Sequence, residues 1–240
     1  MIIAAMATMP ERLDILEKTV ASLRPQVDVI RVYLNNFNEV PPFLNPEEGL
    51  LSQKASGDIG DAGKFFWFDK GGFHYYLTAD DDILYPADYV NRLIEEFEAR
   101  HGKAIIGVHG FVFSEPIKSY ITSRAEKYKC TYRLDQARPV HIIGTATAIF
   151  NPTTIKLSLK DFPRHNMADL QLAIAAQKQQ IPMIVIPRKE NWIKELQDAT
   201  PEHGSSIWKE AKKDNGRTLA QVANQAISHW QLFPDPINKL

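Results

Sequence analysis

The chain has 240 residues, of which 44% are hydrophobic and 24% are charged, and its formal net charge at pH 7 is −1. This composition indicates an ordinary globular protein, and the near-zero charge gives no general reason to expect nucleic acid as a partner. The single cysteine, Cys130, excludes an internal disulfide and a cysteine-based zinc site, and it fits a reducing compartment. No stretch reaches the roughly 20 apolar residues that span a bilayer. We therefore expect a cytoplasmic protein, with at most a peripheral attachment to the inner face of the membrane.

The first part of the chain predicts a strand, a helix and a second strand. Residues 2–8 are apolar and lack a basic leader, so they indicate a first strand rather than a signal peptide. A helix follows and ends near Pro25, with one apolar face formed by Leu13, Leu16, Val20 and Leu23. The second strand, residues 29–34, closes on Asn35 and Asn36. Residues 37–63 show little periodicity and predict a long irregular connection of the kind that often carries function.

An apolar run that ends in three carboxylates is the most distinctive stretch of the sequence. Residues 73–77 predict a strand, which leads into Asp80, Asp81 and Asp82. In an open α/β sheet, ligands bind beyond the carboxyl ends of the strands, which is where these carboxylates would lie. Adjacent carboxylates repel one another, so we expect a hard cation, Mg²⁺ or Mn²⁺, shared with the oxygens of a diphosphate. A solvated acidic turn is the alternative.

The remaining elements continue an α/β pattern. Helices are predicted from residue 86 to about 102, from 166 to 180, and near 205–213 and 217–230. Strands are predicted at 104–110 and at 181–187, where two prolines favour a sheet edge. Residues 140–150 predict either a pair of strands or one strand whose small residues allow a close backbone approach. Residues 111–139 and 188–204 are polar and weakly patterned, as substrate-side segments would be.

The order of these motifs resembles that of the GT-A fold glycosyltransferases, near glycosyltransferase family 2, over residues 1–190. The resemblance rests on Thr-x-Pro-x-Arg after the first strand, Asn-Asn after the second and an Asp-x-x-Asp-x-Gly-Lys element. It also rests on the Asp-Asp-Asp strand end, a Gly-Thr-Ala segment and a helix that begins Ala-Asp. It implies a mixed, mostly parallel sheet flanked by helices, with residues 191–240 forming a loop and helices packed on that unit as part of a single domain.

The resemblance also implies transfer of a sugar from a nucleotide diphosphate, usually UDP, to a hydroxyl of a saccharide or lipid-linked acceptor, as in bacterial surface polysaccharide synthesis. Asp82 would ligate Mn²⁺ or Mg²⁺. A late histidine, His203, would complete the metal site, and an ordinary surface histidine is the alternative for this residue. The donor would be bound by Thr8, Pro10, Arg12, Asn35, Asn36, Asp61, Lys64, Asp80 and Asp81. In inverting members a carboxylate at the start of a helix removes the acceptor's proton, which makes Asp169 the candidate base.

Several of these assignments have structural alternatives. Asn166 and Asp169 have the spacing of a helix capping box, and family members usually carry Glu-Asp where this chain has Ala-Asp. Trp192 and Arg188 are the candidates for acceptor binding, since an indole stacks well on a sugar, although core packing is the commoner role of a tryptophan. Lys209, Lys212, Lys213 and Arg217 suit either an anionic lipid surface or a solvated helix face.

Two other functions fit parts of the pattern. One is a non-catalytic subunit that binds a nucleotide-sugar in a polysaccharide pathway, from which an enzyme would differ by its dependence on Asp169. The other is a phosphatase of the haloacid dehalogenase type, whose nucleophile motif also has the form Asp-x-Asp. Such enzymes place Thr or Val where this chain has Leu84, and they usually carry the motif on the first strand.

Overall fold

The structure, a computed structural model, describes residues 1–44, 46, 49–54, 57–196 and 207–239. Its helices are α1 (Leu13–Leu23), α2 (Tyr89–Glu98), α3 (Ala168–Gln179), α4 (Ile207–Lys213) and α5 (Arg217–Ala226). The strands of the first half are β1 (Ile2–Thr8), β2 (Val29–Leu34), β3 (Leu50–Lys54), β4 (Tyr75–Ala79) and β5 (Ile83–Leu84). The later strands are β6 (Ile105–Gly107), β7 (Gly110–Phe113), β8 (Arg124–Tyr128), β9 (Arg138–Pro139), β10 (Ile142–Ile143), β11 (Thr147–Phe150), β12 (Met183–Val185) and β13 (Lys194–Glu195).

The central sheet has eight strands in the order β3-β2-β1-β4-β11-β6-β12-β9. Strands β1 to β4 run parallel, β11 is antiparallel to both β4 and β6, and β12 is parallel to β6. The carboxyl ends of β1, β2, β4, β6 and β12 therefore lie at one edge, together with the amino end of β11. We call this the carboxyl edge. A three-stranded sheet, β10-β7-β8, and a two-stranded sheet, β13-β5, lie beside it.

The two faces of the central sheet are covered by different elements. Alternate residues of β1 belong to two separate apolar cores, Ile3 and Ala5 to one and Ala4 and Met6 to the other. The first core contains the aromatic block after residue 64 together with α3 and α5, and the second contains α1 and α2. Because both faces are buried, the strands are apolar at successive positions, as in sheets of this kind. The predicted mixed, mostly parallel α/β fold is confirmed.

Three predictions about elements were wrong. The connection 37–63 contains a strand, β3, which pairs in parallel with β2 as the outermost strand on that side of the sheet. Residues 111–139 contain most of β7 and all of β8 and β9. The side chains of β8 are exposed or half-buried and lack the apolar alternation that marks a half-buried strand. Strand β12 is not an edge strand, because the two residues of β9 pair with its outer side. Its prolines, Pro182 and Pro187, flank the strand and take no place within it.

The C-terminal segment is attached to the main body by buried polar contacts. Arg100, which is 1% exposed, donates from Nε and Nη2 to the carboxylate of Asp235 at 2.8 and 2.7 Å. Gln177 and Gln231 exchange two hydrogen bonds between α3 and the chain that follows α5. Within the described ranges, no helix is both long enough and apolar enough to cross a membrane.

Candidate functional site

The three aspartates follow β4 directly and lie at the carboxyl edge. Asp81, the middle one, is 5% exposed. Its Oδ2 accepts a hydrogen bond from Thr8 Oγ1 at 2.6 Å, and Arg12 Nε lies 2.9 and 3.0 Å from its two oxygens. Arg12 also reaches Asp82, with Nη2 2.7 Å from Oδ2. The Thr-x-Pro-x-Arg motif thus ties the end of β1 to the acidic loop, because Pro10 begins the tight turn that directs Arg12 toward it.

The main chain of the acidic loop is held equally firmly. The hydroxyl of Tyr85 donates to the carbonyl of Ala146 at 2.7 Å and accepts from the amide of Asp80 at 3.0 Å. The carbonyl of Asp82 accepts from the amide of Leu196 at 2.7 Å, which joins the loop to the end of β13. These bonds fix which carboxylates face outward. The side chains of Asp80 and Asp82 are 40% and 41% exposed, on either side of the buried Asp81.

Charge in this loop is only partly balanced. Lys64, which is 3% exposed, forms a short ion pair with Asp80, so two basic side chains face three carboxylates. Burial favours the neutral form of Lys64, but Asp80 and Asp61 outweigh it and raise the pKa of the ammonium group. Burial and repulsion by Asp80 and Asp81 raise the pKa of Asp82 to about 6, despite the attraction of Arg12. The excess charge is therefore negative.

The carboxylate oxygens of this loop are suitable ligands for a hard divalent cation. Asp80 and Asp82 present two half-exposed carboxylates, and their surroundings retain negative charge that a cation would neutralise. In the described ranges no group of three or more His, Cys, Asp or Glu side chains forms a metal cage. Two half-exposed carboxylates fit a hard cation such as Mg²⁺ or Mn²⁺, which takes one or two protein carboxylates and completes its coordination with water and phosphate oxygens. His203 lies outside the described residues.

A fourth carboxylate, Asp169, lies at the same edge in the first turn of α3. Its Oδ1 accepts hydrogen bonds from the amide and the hydroxyl of Thr145, at 2.8 and 2.7 Å. The N-cap position of α3 is Met167, with no side-chain cap bond, so the capping-box interpretation does not describe this helix. Asp169 is half-buried and is held by the loop that precedes β11, not by its own helix.

The loop 58–61 connects the end of β2 to the start of α3. Asn35, which is 2% exposed, donates to the carbonyl of Gly60 and accepts from the amide of Ile59. Asp61 accepts from the amide of Ala168 at 3.0 Å, and burial raises the pKa of its carboxyl to about 6. Gly60 has φ +60°, and a Cβ there would lie 2.2 Å from Oδ1 of Asn166. Only glycine fits this close approach.

Most of the residues predicted to bind the donor converge on the carboxyl edge, but several of them are interior. Thr8, Asn35, Lys64 and Asp81 are each at most 5% exposed and are bonded to other parts of the site. They shape the edge, and Asp80 and Asp82 are the more exposed carboxylates there. Asn36, which adopts a left-handed backbone conformation, donates to Asp58 at 3.2 Å and holds the same loop.

The two residues predicted to bind the acceptor, Arg188 and Trp192, contact other groups of the protein. Arg188 is 4% exposed, and its guanidinium donates to the carbonyls of Ile186 and Lys129. Burial lowers its pKa to about 10. The predicted contact between Arg188 and an acceptor is not available in this arrangement. Trp192 is half-buried, and its ring centroid lies 5.8 Å from that of Tyr89. Its Nε1 donates a hydrogen bond to Asp88, and both contacts agree with the packing alternative.

Sequence reasoning missed three residues of this edge: Tyr85, His109 and Thr145. His109 follows β6, and its half-buried side chain packs against the Cα of Gly144. Burial lowers the pKa of its imidazole, with the nearby Asp169 acting in the opposite direction. A signal for His109 did exist, since it stands at the carboxyl end of a predicted strand. Tyr85 and Thr145 act through hydrogen bonds to sequence-distant partners, which no local pattern reveals.

The architecture is that of the GT-A fold of the glycosyltransferases. No protein-family model and no curated protein matches the sequence. Among solved structures, the chain is similar to S. aureus TarS 1-349 in complex with UDP-GlcNAc, with a TM-score of 0.57 and 11% identity over 86% of this chain. It is also similar to a second S. aureus TarS structure, with a TM-score of 0.50 and 10% identity over 79% of this chain. The chain spans 62% and 36% of the length of these two structures, respectively.

Proposed function

We propose that this chain is an inverting, metal-dependent glycosyltransferase that transfers a sugar from a UDP-sugar to a hydroxyl of a saccharide or lipid-linked acceptor. One observation carries the proposal. Asp80 and Asp82, half-exposed on a negatively charged loop, share the carboxyl edge of a GT-A sheet with a fourth carboxylate, Asp169, that is held by Thr145. A cation-binding loop and a separately anchored base are the two parts that such a reaction needs.

The residues of the chain divide the chemistry between them. Asp80 and Asp82 would hold the cation, which when bound supplies Lewis-acid stabilisation to the departing diphosphate. Arg12 holds Asp81 and Asp82 in place, so the loop keeps its shape without a ligand. Asp169 has Oδ1 occupied by two hydrogen bonds from Thr145, which leaves Oδ2 to accept the proton of the acceptor hydroxyl as its oxygen attacks the anomeric carbon. This single displacement inverts the configuration at that carbon.

Binding tests the donor half of the proposal. Calorimetric titration of UDP-GlcNAc, the ligand of the similar TarS structure, should show binding with Mn²⁺ that a chelator removes. The variant Asp82→Ala should lose at least about tenfold in affinity. Asp135→Ala is the matched control, since that carboxylate is 71% exposed and pairs only with Arg133 among the contacts described for it. If no UDP-, GDP- or CMP-linked ligand binds the folded protein in the presence of metal, the proposal fails.

Turnover distinguishes an enzyme from the non-catalytic alternative. Asp169→Asn should keep its affinity for UDP-GlcNAc and lose at least about 100-fold in the rate of sugar transfer. Transfer at the wild-type rate by this variant would refute the assignment of the base. Tight binding with no turnover by the wild-type protein, across an acceptor screen, would favour a binding subunit of a polysaccharide pathway. The GT-A fold gives no support to the phosphatase alternative.

A further inference from the structure

A buried chain of polar contacts joins the donor side of the site to the candidate base. It runs from Asp80 to the ammonium of Lys64, from Lys64 to the hydroxyl of Thr145, and from Thr145 to Asp169. Lys64 and Thr145 are 3% and 2% exposed, so the contact between them lies in the interior. Both ends of the chain are accessible, because Asp80 is 40% exposed and Asp169 is half-buried.

The direction of these hydrogen bonds follows from the groups themselves. An ammonium can only donate and an ionised carboxylate can only accept, whereas a hydroxyl has one proton to donate. Thr145 uses that proton on Asp169 Oδ1, at 2.7 Å, so its oxygen accepts from Lys64 Nζ, at 3.4 Å. The amide of Thr145 donates to the same Oδ1 at 2.8 Å. Oδ1 is thereby occupied twice, and the orientation of the whole carboxylate is set.

We infer that Thr145 is a positioning residue for the base. Its amide and its hydroxyl both donate to Oδ1 of Asp169, and the ammonium of Lys64 holds the Thr145 oxygen from the other side. A site organised in this way presents Oδ2 to the acceptor in one orientation. This inference rests on the proposed function, because it gives Thr145 a role only if Asp169 acts on an acceptor.

A matched set of threonine variants tests the inference. Thr145→Val keeps the shape and the amide but removes the hydroxyl. Thr145→Ser restores the hydroxyl. The control is Thr78→Val on β4, the strand that pairs with β11. Thr78 is 0% exposed, and its hydroxyl has no hydrogen-bond partner within the described ranges. All three substitutions are small, and differential scanning calorimetry establishes that each variant is folded.

Two functional quantities are measured: the rate of UDP release from UDP-GlcNAc with water as the acceptor of the sugar, and the affinity for UDP with Mn²⁺. Loss of a hydrogen bond to a charged group should lower the rate with Thr145→Val by about 10- to 100-fold. The affinity for UDP should stay within about twofold of wild type. Thr145→Ser should recover to within about threefold, and Thr78→Val should match wild type. Equal rates for the two valine variants would overturn the inference, as would a loss in Thr145→Val that the serine does not recover.

Crystal structures of the two valine variants provide a readout that does not depend on activity. In Thr145→Val the carboxylate of Asp169 should turn about its Cβ–Cγ bond or spread over two orientations, while in Thr78→Val it should remain in place. An unmoved carboxylate in Thr145→Val would overturn the positioning role. Failure of the proposed function is distinguishable, because it appears in the wild-type protein as an absence of donor binding and turnover.

Discussion

Replacing Arg12 with methionine should destabilise the fold measurably, because this arginine is the main cation of the acidic loop. Its guanidinium lies 2.8 Å from Asp81 and 2.7 Å from Asp82, and its side chain is only 19% exposed. Asp81, at 5% exposure, would keep the hydrogen bond from Thr8 but lose its counterion. The opposing charge in the loop would fall from two basic groups to one, against three carboxylates.

The expected size follows from the burial of the pair. Removing one partner of a buried ion pair costs about 3–5 kcal/mol, and the partial exposure of Asp82 places this case near 3 kcal/mol. For a chain of this length, that corresponds to a fall of about 6–12 °C in the melting temperature. Methionine preserves most of the apolar stem, so the loss reports on charge and hydrogen bonding rather than on packing.

The assay is thermal unfolding followed by circular dichroism at pH 7.5, with a chelator and then with Mn²⁺. Arg133→Met is the matched control. Arg133 and Asp135 are each 71% exposed, and such a pair contributes less than about 1 kcal/mol. If the acidic loop binds cations, Mn²⁺ should raise the melting temperature of Arg12→Met more than that of the wild-type protein, since the metal takes over part of the missing charge. A melting temperature for Arg12→Met equal to that of the control would refute the reasoning.

Two further predictions concern the framework around the site. His141 is 5% exposed, and burial lowers its pKa to about 4, so the unfolded state takes up a proton first as the pH falls. The contribution of the neutral His141 to the free energy of unfolding is therefore fully present above about pH 6.5 and falls by about 2 kcal/mol between pH 7 and 5. His141→Gln should remove this part of the pH dependence in denaturant titrations at both pH values. Gly60→Ala should lower the free energy of unfolding by about 2–4 kcal/mol, because of its positive φ and the clash with Asn166. Gly57→Ala should be neutral in the same urea titration, because an added Cβ there would meet no atom of the described residues within 4 Å. Equal losses for both variants would contradict the steric argument.

The elements whose pattern is local follow from the amino-acid sequence alone. Strand β1 and helices α1 and α2 follow from apolar periodicity, and the Asp-Asp-Asp turn follows from an apolar run that ends in charge. The order of motifs also predicted the GT-A fold. Strand β3 and strand β8 escaped prediction because their side chains are mostly exposed, so that backbone pairing, and not apolar alternation, holds them in the sheet.

Which polar residues of the site face outward depends on contacts between segments that are distant in the sequence. The acidic loop has the same residue type at three successive positions. The middle carboxylate, Asp81, is bonded to Arg12 and Thr8 and is buried, whereas the two outer carboxylates are half-exposed. Likewise, the partner of Asp169 is Thr145, which lies 24 residues earlier in the chain and belongs to a different element. Burial and hydrogen bonding between distant segments depend on the order of the strands in the sheet. That order cannot be predicted from the local sequence.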